Sequence, residues 1–82
     1  MSNTYFFTQS AALKHAEEET YKAGYDIIYP DRIWAEPVNY GTSVKYNFPL
    51  TLQRTGNEAK KWLHIQLYRM GNGKYELNFY LA

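Results

Sequence analysis

The side chains best suited to chemistry are few in this sequence, and they are scattered. Two histidines, His15 and His64, lie far apart, and there is no cysteine. Thiolate metal sites and thiol nucleophiles are therefore excluded. No His-x3-His or Glu-x2-His spacing places two ligands on one helix face. Serine and threonine hydroxyls are plentiful, but a nucleophile needs a base held against it and a third group to orient that base. Gly71-Asn72-Gly73 is not followed by a helical pattern, so it offers no row of amides to a phosphate. The sequence predicts no catalytic residue, no metal site and no cofactor.

What remains is binding chemistry, and it concentrates around one segment. Between Lys60 and Met70 the apolar residues Leu63, Ile65 and Leu67 alternate with Trp62, His64, Gln66 and Tyr68. Strict alternation marks a strand with one face buried, so the second set faces water. Tyr80, from the last strand, is expected beside them. Aromatics with a polar tip bury much area at little entropic cost, which suits an interface. The predicted partner-binding residues are Trp62, His64, Gln66, Tyr68 and Tyr80, with Lys60 and Lys61 at the strand entrance. The competing structural explanation is that these aromatics serve only as cross-strand pairs. A further alternative is that residues 4–7 or 25–41 fold over this face and bury it.

The elements that must position these residues can be read on either side. Residues 9–23 are good helix formers without proline or interior glycine. Thr8 or Ser10 can cap the first turn, and Gly24 suits a left-handed stop. Leu13, Ala16, Thr20 and Ala23 fall on one narrow face, and the two alanines let a sheet approach closely. Strands are predicted over about 43–54, 60–70 and 74–81, with short ones over 4–7 and 32–36. Parity sets the register, because a slip of one residue turns every side chain to the wrong face. The last two strands pair Leu67 with Leu77 and Ile65 with Phe79, leaving Gly71-Asn72-Gly73 as a three-residue hairpin loop. The earlier hairpin is expected to pair Leu52 with Leu63 and Leu50 with Ile65, which places His64 between Thr51 and Tyr80. Arg69 is expected between Tyr46 and Tyr75 at one end of the inner face. The predicted fold is α+β, an N-terminal helix on one face of a three- to four-stranded antiparallel meander.

Size and charge narrow the partners. With 82 residues there is room for one domain, and a chain this short hides only about 60% of its unfolded surface. Small secreted domains compensate with disulfides. Their absence, with no leader-like start and no apolar run long enough to span a bilayer, points to a cytoplasmic protein without membrane contact. The net charge is +1, but residues 1–37 carry −3 and residues 38–82 carry +4. The expectation is a non-catalytic protein–protein module. Small bare chains of this kind are frequent in phages and mobile elements, where they inhibit host defence enzymes such as CRISPR effectors; that anti-CRISPR-like expectation comes from size and bareness and rests on no residue. The alternative is nucleic-acid binding through the basic half. A helix followed by three strands resembles the opening of a double-stranded RNA-binding domain, but the basic second helix of that family is missing. Finally, the last strand, 74–81, lies at a sheet edge, open to homodimer pairing unless Tyr5-Phe6-Phe7 covers it.

Overall fold

The computed structural model describes residues 4–32, 36–37 and 43–82. One helix, α1 (Gln9–Lys22), packs on an antiparallel sheet. Its strands are β1 (Thr4–Phe6), β2 (Tyr25–Ile27), β3 (Glu36–Pro37), β4 (Val44–Leu52), β5 (Glu58–Arg69) and β6 (Tyr75–Leu81). Five of them run in the order β1-β6-β5-β4-β2, and the two-residue β3 pairs with β4 on the β2 side. The α+β class stands, but the sheet has five strands in its main order, plus the two-residue β3, rather than three to four. Among the described residues no helix is long and apolar enough to cross a membrane.

The helix forms where its caps allow. Thr8 sits in extended backbone and its hydroxyl accepts from the Ala11 amide at 3.1 Å, satisfying one orphan donor of the first turn. Gly24, at φ +95°, takes the left-handed turn that ends the helix, one residue past the Ala23 cap. The buried face is Ala12, Ala16 and Thr20, with Leu13 at its flank; Ala23, expected there, is exposed. Because Ala12 and Ala16 have almost no side chain, the helix settles close to Leu63, Ile65 and Leu67, all fully buried. Thr20 is tolerated in this core because its hydroxyl donates to the Ala16 carbonyl at 2.8 Å.

The β5–β6 register is the expected one: Leu67 faces Leu77, Ile65 faces Phe79, and His64 faces Tyr80. Gly73, at φ +81°, closes the three-residue loop, its amide donating to the Met70 carbonyl at 3.1 Å.

The β4–β5 register differs from expectation. Tyr46 faces Ile65 and Phe48 faces Leu63, where Leu50 and Leu52 were expected, so β4 is displaced by four residues from the predicted alignment. Parity survives such a shift, so inner and outer sets are conserved while neighbours change. Between the Pro49–Trp62 and Thr51–Glu58 pairs, one β4 residue stands opposite three of β5, a bulge carrying Ala59, Lys60 and Lys61. Pro49 is compatible with this position because its carbonyl accepts from the Ile28 amide at 2.9 Å, on the side away from β5. Its missing N–H points the same way and costs the β4–β5 ladder nothing. The strand ends at Leu52, not 54, and β5 starts at Glu58, not 60.

Two short strands close the flanks. β1 pairs with β6, Phe6 opposite Tyr75 and Thr4 opposite Leu77, so the N-terminal aromatics cover part of the last strand's edge. β2 pairs with the end of β4, Ile27 opposite Leu50, a strand the sequence did not signal. Of the strand expected over 32–36, Glu36 belongs to β3 and pairs with Lys45; residues 33–35 and the turn at 39–41 lie outside the described residues.

The close helix–sheet approach sets a measurable limit. Ala16→Leu inserts three carbons into a fully buried site and should lower stability by about 1–3 kcal/mol. Ala11→Leu, on the exposed side of the same helix, should stay within about 0.5 kcal/mol. Urea unfolding of both variants tests this, and equal losses would contradict the stated packing face.

Candidate interaction face

Because Leu63, Ile65 and Leu67 point to the helix, the even-numbered residues of β5 point away from it. The outer face can be built row by row from the register. Trp62 stands between Pro49 and Ala82; His64 between Asn47 and Tyr80; Gln66 between Lys45 and Asn78; Tyr68 beside Glu76, with Tyr5 of β1 on its far side. Residues 4–6 join the sheet edge and do not fold over this face, and β2 likewise joins the opposite edge.

Exposure is uneven. Trp62 and Tyr80 each keep 47% of their surface, whereas Tyr68 is half-buried and Ser43 is buried at that end. The open part therefore centres on Trp62, His64 and Tyr80.

The polar side chains there are tied to one another. His64 Nδ1 lies 2.8 Å from Asn47 Oδ1. An amide oxygen only accepts, so Nδ1 carries the hydrogen. The His64 ring stacks on Tyr80 with centroids 4.6 Å apart and planes 14° from parallel. Gln66 Oε1 accepts from the Tyr68 hydroxyl at 2.9 Å and from Asn78 Nδ2 at 3.2 Å. These bonds hold the carboxamides and rings in place before any partner arrives, which lowers the ordering cost of association.

The predicted site is only partly assembled. Trp62, His64, Gln66, Tyr68 and Tyr80 share one face, but His64 meets Asn47 where Thr51 was expected. Lys61 does not join Trp62 on this face: it holds its ammonium 5.7 Å above the Tyr25 ring, which packs against the core, and Lys60 is exposed within the bulge. Arg69 is opposite Tyr75 as predicted, but Tyr46 lies four residues along the ladder, opposite Ile65. Lys74 sits 5.2 Å above the Phe7 ring at the far end of the sheet. Tyr5 is a member that sequence reasoning missed. The parity of the last strand would have found it, had β1 been aligned against β6.

Other groups offer less. Among the described residues no cluster of three metal-ligating side chains occurs. His15 lies between Phe6 and Phe79, 5.4 and 6.0 Å from their centroids, as a packing ring. Tyr29 packs edge-on against Phe48 at 5.7 Å and its hydroxyl is 3.4 Å from that of Tyr21. Partial burial, then Tyr21 and Glu17, push its phenol above the ordinary value and keep it neutral. No known protein family matches the chain, and no curated protein or solved structure matches it either.

The geometry separates neighbours sharply. Trp62→Ala should cost less than about 1 kcal/mol of folding stability, as an exposed position does. Leu63→Ala, one residue on, should cost about 2–5 kcal/mol. Denaturant titration of the pair checks it, and a Trp62 loss equal to that of Leu63 would mean that the outer face is covered.

Proposed function

We propose that this chain is a non-catalytic protein-interaction module that docks a folded protein surface on the outer face of β5 and β6. The observation that carries the reading is a pre-ordered patch in which half-exposed Trp62 and Tyr80 frame His64, Asn47, Gln66 and Asn78, with no acid or lysine among them. Interface centres are depleted in charge and enriched in aromatics, and this patch has that composition. Lys45, opposite Gln66 in the same row, and Glu76, opposite Tyr68, are the charges that border it.

Nucleic-acid binding, the alternative expected from the basic half, gains little support. Binding to phosphates draws on several clustered cations. Here Lys61 and Lys74 are turned onto aromatic rings away from the patch, and Arg69 belongs to the inner rows. The expectation of a host defence enzyme as the target draws on chain size alone, and no residue of this face bears on it.

Affinity capture with the wild-type chain as bait supplies the partner, and calorimetry on that complex tests the reading. Trp62→Ala should raise Kd at least about thirtyfold, the equivalent of roughly 2 kcal/mol. Lys61→Ala should change it less than about fivefold. Raising salt from about 50 to 200 mM should leave affinity within tenfold. A steep salt dependence, with comparable losses at Lys45, Lys60 and Lys61, would replace this reading with the nucleic-acid one.

A further inference from the structure

The Gly71-Asn72-Gly73 loop between β5 and β6 carries an inference independent of what binds the outer face. Asn47, Asn57, Asn72 and Asn78 are all exposed, so exposure alone does not distinguish them. Local geometry does. Asn47 and Asn78 lie in strands, are each followed by a phenylalanine, and hold their carboxamides across the sheet on His64 and Gln66. Asn57 precedes Glu58, the first residue of β5. Asn72 is followed by a glycine, and its side chain turns along its own backbone, Oδ1 accepting from the Lys74 amide at 3.0 Å. That bond folds the carboxamide beside the intervening Gly73 peptide, the side-chain equivalent of a backbone turn.

We propose that Asn72 is a site of spontaneous modification: its side chain cyclises onto the Gly73 nitrogen and reopens as aspartate and isoaspartate, the latter loosening the β5–β6 hairpin. In the first step the Gly73 amide gives its proton to hydroxide and the nitrogen attacks Cγ of Asn72. Negative charge develops on Oδ1, where the Lys74 amide already donates. The Cγ–Nδ2 bond then breaks, and the leaving nitrogen takes a proton from water and departs as ammonia. A succinimide remains. Water next cleaves one of the two C–N bonds of that imide. Cleavage at Cγ gives aspartate, whereas cleavage at the main-chain carbonyl gives isoaspartate, with the chain routed through Cβ.

Gly73 leaves the path open. Nothing stands within 4 Å of where its Cβ would be, so no side chain crowds the attacking nitrogen. The restraint on attack is the bond from the Gly73 amide to the Met70 carbonyl at 3.1 Å, at an exposed loop where such bonds open readily. The same loop sets Leu67 opposite Leu77 and His64 opposite Tyr80, so its length matters to the sheet. Isoaspartate inserts one extra backbone atom there and disturbs that register. α-Aspartate keeps the loop length, and its carboxylate still accepts from the Lys74 amide.

The sequence makes the test direct, because trypsin, cutting after lysine and arginine, leaves each of these asparagines in its own peptide, Asn72 in residues 70–74. The wild-type chain is incubated in mildly alkaline buffer, folded or in urea, and the mass gain of about one dalton is followed peptide by peptide. In the folded chain Asn72 should convert at least about tenfold faster than Asn47, Asn57 or Asn78. Its rate should rise about tenfold per pH unit, since the attacking amide must first lose its proton. The folded rate should stay within about tenfold of the rate in urea, because the Lys74 contact offsets the Met70 restraint. Chromatography isolates the isoaspartate form, which should melt below the Asn72→Asp variant. Equal rates at the four asparagines, a folded rate more than tenfold below that in urea, or an isoaspartate form that melts with Asn72→Asp would each overturn the proposal.

Discussion

The structure depends on the alternation of β5. Leu63, Ile65 and Leu67 are completely buried, and their burial against α1 leaves the strand no freedom to rotate or slip by one residue. Each fully buried aliphatic side chain is worth about 1.5–3 kcal/mol relative to exposure, so an odd-numbered slip would forfeit several at once. With β5 fixed, β4 and β6 must present their own apolar residues to the same side. β1 and β2 then take what edges remain. The outer face is the complement of this choice: Trp62, His64, Gln66 and Tyr68 face water because their neighbours in sequence cannot.

The helix meets that sheet through its smallest residues. Ala12 and Ala16 let the backbone approach, and the buried Thr20 hydroxyl is satisfied within the helix, so no polar group is left orphaned at the contact. Such economy matters in a chain of 82 residues, where a core has few side chains to spare. It also explains why Phe6 is recruited from the N-terminus: its ring stands 5.4 Å from that of His15 and extends the core past the edge of β6.

How much of this was legible follows from the length of each signal. The helix, with a threonine cap and a glycine stop, and the β5–β6 pairing, with its Gly-Asn-Gly loop, carry local chemistry that specifies their geometry. The β4–β5 pairing lacks such a signal. A shift by an even number of residues, here four, preserves every inward and outward assignment, and no local residue pattern marks the bulge that accompanies the true alignment. β1 and β2 are three residues each, too short for periodicity, and gain their identity from the partner strand. The outer-face residues on β5 and β6 were therefore recoverable, whereas His64's bond to Asn47 was not, because it depends on where β4 sits.

Little charge reaches the centre of the face. Lys61, odd-numbered like Leu63, rests over Tyr25 on the helix side, where simple alternation places it. Lys74 lies over Phe7 at the far end of the sheet, and Lys45 borders the face opposite Gln66. What stays beside Trp62 and Tyr80 is amide and imidazole, groups already bonded to one another and able to meet either donors or acceptors. A neutral, pre-ordered surface gives up the long-range attraction that draws a protein to phosphate. In the proposed role it would rely on short-range complementarity, and the residues that would supply it face outward through the same alternation that builds the core.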